Sequence, residues 1–202
     1  MKFRRIVLLS LVILSGFVLN GFAQSVSSVR IRGQVLSSTQ NSLSVKDRSG
    51  EIVSLTFSDK LQIQEVYPIS MNDIQANSFI GTAARTSPSG QLIALEVHVF
   101  PESMRGTGEG HRPWDSEPGS TMTNATVQEL VSVGSSRELH LKFKDGEKTV
   151  FVPSETPIVT YREASKELLV PGANAIVIAN LVDGQAQAMR IMVGRDGFKP
   201  PM

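Results

Sequence analysis

Cysteine is absent from the 202 residues, so neither disulfides nor thiolate metal sites are available and folding depends on core burial alone. Aromatic residues are sparse, and Trp114 is the only indole. Charge of one sign is missing too: the formal net charge is +1, which gives no electrostatic reason to expect nucleic acid or an anionic membrane as partner. No G-x-S-x-G elbow, H-E-x-x-H pair, P-loop or dinucleotide glycine fingerprint occurs, and the "GTGEG" of Gly106–Gly110 lacks a strand-to-helix context. These gaps point to a chain that is not an enzyme and carries no cofactor.

Long apolar runs are confined to the start. Met1-Lys2-Phe3-Arg4-Arg5 leads into an apolar stretch from Ile6 to Leu19, followed by Asn20-Gly21-Phe22-Ala23-Gln24. A basic head, an apolar body and small residues at Gly21 and Ala23 predict a signal peptide over residues 1–23, cleaved after Ala23. The 14-residue run is short of the roughly 20 residues a spanning helix needs. No cysteine follows it to accept a lipid, and nothing beyond Gln24 approaches a second span. The expectation is a soluble exported protein, periplasmic or secreted, whose partner is a protein or small ligand of the cell envelope. Loss of Lys2, Arg4 and Arg5 moves its formal charge to −2. The 179 residues left fit one large or two small domains.

Beyond the signal, one pattern occurs twice. "SLSVKDRSGEIVSLTFSDKLQI" is echoed by "ELHLKFKDGEKTVFVPSETPIV", and "FIGTAARTSPSGQLIALEVHV" by "AIVIANLVDGQAQAMRIMV". The turns at Gly50 and Gly146 lie 96 positions apart, and those at Gly90 and Gly184 lie 94 apart. A near-constant offset across two hairpins reads as a tandem duplication. Alternation at Leu43, Val45, Val53, Leu55 and Phe57, and again at Leu139, Leu141, Phe143, Val150 and Val152, marks half-buried strands. Short helical or turn segments are expected near Ser70–Ala76 and Tyr161–Leu169. The predicted fold class is all-β: two tandem five-stranded OB-like β-barrels joined by an ordered connector. The first covers residues 25–100, the Gly/Pro-rich connector 101–120, the second barrel 121–193, and a C-terminal tail 194–202.

The frame of Gly33-x-Val35, strand, Gly turn, strand, Thr156-x-Ile158, Pro171-Gly172-Ala173 and Asp183-Gly184-x-x-x-Ala188 resembles the small OB-like repeat domains of exported bacterial proteins. The resemblance covers both units but not the connector, and it implies a fold without implying a function. Similar sequences carry the label of metal-transporter permease, which the missing spans do not support literally.

Chemistry-bearing side chains cluster around the connector. In "LIALEVHVF", alternation sends Ile93, Leu95, Val97 and Val99 inward and places Glu96 and His98 on the outer face. Glu102, Glu109, His111 and Asp115 follow within seventeen residues of His98. Two imidazoles with several carboxylates form an N/O set suited to zinc, nickel or another divalent ion, so periplasmic metal binding or delivery is the alternative function. The same residues also read as solvated positions on an edge strand and a loop. Trp114 has two readings as well. Exposed, it stacks a sugar or a peptide; buried, and with Arg112 beside it, it anchors the connector and holds the two barrels together. Pro113 and Pro118 stiffen the path around it. Binding of single-stranded nucleic acid by the barrels would need a basic groove with stacking platforms, and the mature chain has nine aromatics and a slightly negative charge.

Overall fold

The computed structural model describes residues 28–182 and 184–201; the expected signal peptide lies outside them. Strand accounts for 62% and helix for 5% of the described chain, so the all-β class stands. The first three strands, β1 (Ser28–Ser38), β2 (Ser42–Asp47) and β3 (Ile52–Pro68), form a meander. A 3-10 turn at Met71–Asp73 leads to the hairpin of β4 (Phe79–Thr86) and β5 (Leu92–Val99). The expected connector contains a 3-10 turn at Glu102–Met104 and a short strand, β6 (Gly110–Pro113), before β7 (Thr121–Val133), β8 (Ser136–Phe143) and β9 (Gly146–Val152). Strand β10 (Ile158–Glu163), a 3-10 turn at Lys166–Leu168, and the hairpin of β11 (Asn174–Val182) and β12 (Gln185–Gly194) complete the order. The two expected short helical segments are present, but Tyr161–Glu163 extends a strand instead of opening the second one.

Strand pairing departs from contiguous units. The free edge of β1 is taken by β11, and β12 runs parallel to β3, so β1, β2, β3, β12 and β11 close a five-stranded barrel. This barrel draws two of its strands from the far end of the chain and is not the 25–100 unit expected from sequence. Strands β4 and β5 join β7, β8 and β9 instead, in the order β5-β4-β7-β8-β9, with a short parallel contact between β5 and β9. Strand β10 bridges the two groups, antiparallel to the second half of β3 and parallel to β5. Every hand-over covers an edge whose unpaired N–H and C=O groups would otherwise face other chains.

The burial pattern explains the residues chosen. Val35, Leu43, Val45, Leu55, Val177 and Ile191 fill the barrel. Ile80, Val97, Val127, Leu139, Leu141 and Val150 fill the second group. A third cluster, of Val66, Val159, Tyr161, Ile176 and Met192, lies outside both. Neighbours on β11 and β12 therefore serve different cores: Val177 and Ile191 point into the barrel, Ile176 and Met192 into the seam between the groups. A strand buried on both faces reads as a near-continuous apolar run, which "NAIVIANLV" is. Gly33 sits where β1 presses on β2; a Cβ there would lie 2.1 Å from the Lys46 carbonyl oxygen, so only glycine permits this approach.

One ion cluster, a buried carboxylate held by two half-exposed arginines, ties the bridge to the barrel. Glu65 on β3 is 3% exposed and accepts paired hydrogen bonds from Arg162 of β10 at 2.7 and 3.0 Å and from Arg195, just past β12, at 3.0 and 3.1 Å. Such bidentate pairs offset the cost of burying a carboxylate. The hydrogen bonds from both guanidinium groups hold the Glu65 carboxyl at about 2, against an ordinary 4.5. A carboxyl depressed on folding adds stability above its unfolded value and loses it as pH falls through the folded one. Urea midpoints measured between pH 4.5 and 2 should fall for the native chain. In Glu65→Gln, stability should be lower by roughly 1.5–3 kcal/mol at neutral pH, with a flatter acid limb. A variant as acid-sensitive as the native chain would assign that sensitivity elsewhere.

Candidate functional site

The connector is fastened to the barrel through β1. Arg30 and Arg32 alternate outward from that strand, and both reach Asp115: Arg30 at 3.0 Å, Arg32 through two hydrogen bonds at 2.7 and 3.0 Å. These hydrogen bonds, chiefly from Arg32, hold the Asp115 carboxyl below its usual range. Two guanidinium groups lie over the Trp114 ring, Arg30 4.1 Å and Arg112 5.3 Å from its centre, both within cation–π range. Its backbone N–H donates to the Ser120 carbonyl at 2.8 Å. On the other side, β6 pairs with β7 of the second group. Trp114 and Arg112 thus lie between β1 and the β6–β7 pair.

Beneath the clasp is a cavity of about 250 Å³ in the seam. Its polar lining comes from Arg30, His98, Arg112, Asn124, Tyr161 and Arg190, and its apolar lining from Phe100, Met104, Met122, Ile178 and Met192. His98 and Asn124 are 1% and 5% exposed, yet His98 Nε2 and Asn124 Oδ1 have no hydrogen-bond partner among the described residues; the same holds for Trp114 Nε1. Buried polar atoms without partners are costly. Gly81, opposite His98 on β4, keeps the space open: a Cβ there would lie 2.7 Å from Asn124 Oδ1 and 3.0 Å from the Phe100 ring.

The Tyr161 hydroxyl and His98 Nδ1 are hydrogen-bonded. Burial, reinforced by the Glu96 charge, pushes the Tyr161 hydroxyl well above its usual range, so it stays protonated and is available to donate to Nδ1. His98 Nε2 faces Glu96 Oε1 at 3.6 Å, too long for a hydrogen bond. Phe100 stacks on Tyr161, with ring centres 5.6 Å apart and planes at 12°. The arrangement sets hydrogen-bonding groups among the apolar side chains of the cavity lining.

The expected phase of β5 holds in part. Val97 and Val99 face the core, but Leu92 and Ala94 pack there in place of Ile93 and Leu95. The pairing passes from Ala83–Glu96 to Ala84–Ala94, so Leu95 is the extra residue of a bulge that resets the alternation. Glu96 and His98 do share the face opposite the core, but they are buried beneath the seam instead of solvated. The other candidates part company. His111 Nδ1 contacts Thr123 Oγ1 at 2.8 Å, Glu102 pairs with Arg105 at 2.6 Å, Glu109 accepts from the Lys144 backbone N–H, and Asp115 is taken by the two arginines. Among the described residues, no group of three or more His, Cys, Asp or Glu could hold a metal ion. Arg30, Asn124, Tyr161 and Arg190 were not singled out from sequence. The sequence signal that could have found one of them is the Arg30-x-Arg32 alternation, which puts two charges on one face of a strand.

Comparisons with protein-family models, curated proteins and solved structures find no match to this chain.

The clasp makes an ordered prediction. Trp114 is only partly buried, so Trp114→Ala should cost about 2 to 3 kcal/mol, below the ~3–5 of a fully enclosed ring. Asp115, whose side chain is 55% exposed, should cost no more than about 1 kcal/mol as Asp115→Asn. Urea unfolding of both variants checks the order; a larger loss for Asp115→Asn would place the fastening in the ion pairs.

Proposed function

We propose that this chain is an exported, soluble, non-enzymatic binding module of the cell envelope, and that the seam cavity is its binding site. The observation that carries the reading is the pair of buried atoms without partners among the described residues, Asn124 Oδ1 and Trp114 Nε1, on residues that line a space of mixed polar and apolar walls. Polar groups converging in an apolar concavity are the usual makings of a small-molecule site. Tyr161, held protonated, serves as a hydrogen-bonding wall and not as a nucleophile. Export rests on the Met1–Gln24 pattern, and no described helix is long and apolar enough to cross a membrane. The proposed partner is a small ligand or envelope protein, not nucleic acid. The metal-delivery alternative retains only the Glu96–His98 pair, short of the three protein ligands of a typical zinc site.

The architecture fits a duplication whose two halves exchange their closing hairpins. The parallel contact of β12 on β3 mirrors that of β5 on β9, and the offsets of 94 and 96 residues put each hairpin in its counterpart's place. Exchange of identical elements is a low-cost rearrangement of repeated units.

Because Trp114 is the only indole in the chain, a single side-chain N–H resonance reports on the cavity. Protein recovered from the envelope fraction should begin at Gln24 by mass spectrometry. Titrated with small aromatic and aliphatic fragments of acidic, neutral and basic character, it should show saturable movement of the indole signal with at least one. An intact Met1 would contradict export, and an indole signal unmoved by every fragment would contradict the binding reading.

A further inference from the structure

The charges around the cavity are unevenly matched. Arg30 and Arg32 share the single carboxylate of Asp115. Arg112 donates to the neutral Gly108 carbonyl at 2.7 Å, and Arg190 donates to the neutral Gln62 amide oxygen at 3.0 and 3.2 Å. Glu96, 3.6 Å from His98 Nε2, and Glu163, which shares a neighbouring groove with Arg190, do not line the space. Among the described residues the lining thus has three guanidinium groups and no carboxylate. Burial lowers the pKa of both Arg30 and Arg112, although Asp115 partly offsets this for Arg30. A bound anion would relieve that cost for Arg112, which has no acid of its own.

The donors agree with the charge. Trp114 Nε1–H and Arg30 Nε–H are buried without partners, and both can only donate. The same space is also lined by apolar, adaptable side chains: Met104, Met122 and Met192 with the Phe100 ring. Methionine accommodates varied shapes and favours contact with aromatic faces. An inorganic anion would use the donors and leave this wall uncovered; a neutral hydrocarbon would do the reverse.

We propose that the seam cavity binds a small organic carboxylate with an apolar, preferably aromatic, body. The acidic group faces Arg112, Arg30 and the Trp114 indole N–H, and the body lies among Met104, Met122, Met192 and Phe100. This rests on the cavity being a binding site, as proposed above, and adds the class of ligand.

Four probes separate the contributions: phenylacetate; phenylacetamide, which keeps the body and removes the charge; phenethylamine, which reverses the charge; and acetate, which keeps the charge and removes the body. Titration calorimetry and the indole N–H resonance of the full mature chain provide the readouts. Phenylacetate should bind saturably, about tenfold or more tighter than each of the others, as loss of one charge-assisted contact implies. Arg112→Met should weaken phenylacetate about tenfold and leave phenylacetamide unchanged. Asn124→Asp, which brings a carboxylate to the cavity, should weaken it by at least as much. The four-probe comparison on the native chain decides the matter even if a variant fails to fold. Equal binding of the acid and the amide would overturn the carboxylate assignment and leave a binding cavity. Equal binding of acetate and phenylacetate would overturn the apolar body. Indifference to all four probes would also overturn the proposal, and the binding reading falls with it only if the wider fragment titration is silent too.

Discussion

The second edge of β3 is the constraint on which the rest of the structure depends. Three strands in a meander cannot close a barrel alone, and β3 leaves a row of backbone donors and acceptors over Thr56–Val66. That row is satisfied by β12, which arrives from the far end of the chain, and β12 brings β11 to the opposite edge of β1. The hairpin next in sequence, β4–β5, is thereby released to pair with β7 and β9. Because β3 continues past the barrel, its second half pairs with β10, which also pairs with β5. One edge choice thus sets the seam, and the seam encloses the cavity.

Energetically, the seam mixes strong and costly contacts. Apolar side chains from β3, β10, β11 and β12 cover one another there, gaining on the order of 25 cal/mol per Å² removed from water. Glu65 and its two arginines fasten the rim, and Asp115 with Trp114 fastens the lid. Within these ties sit buried polar atoms without a hydrogen-bond partner among the described residues. A fold that keeps such groups beside an adaptable apolar wall sacrifices stability locally, as binding sites commonly do.

Much of the local structure was legible from sequence. Alternation located the strands, and glycines marked the turns at Gly50, Gly90 and Gly146. Partner choice was not legible, because β11 offers β1 the same alternation and turn chemistry that β4 would. Strand periodicity separates two faces without revealing what covers the outer one. Glu96 and His98 were therefore placed on the correct side of β5 and assigned to solvent, whereas Tyr161 and the seam bury them. The Leu95 bulge was hidden for a related reason: in an apolar run, inserting one residue leaves the composition unchanged. The proposed carboxylate site joins Arg30 of β1 to Arg112 and Trp114 of the connector and to Met122 of β7 and Met192 of β12, a convergence no local window contains.

The absence of native cysteine makes strand exchange directly measurable. Ser28 on β1 lies opposite Asn180 on β11, close enough for a disulfide once both are cysteine. If each half instead closed on itself, Ser28 would face the end of β4, near Thr86. Mildly oxidised Ser28→Cys/Asn180→Cys protein should form an intramolecular disulfide in nearly every molecule, while Ser28→Cys/Thr86→Cys stays reduced. Cross-linking confined to the second pair would contradict the exchange, and with it the seam and its cavity.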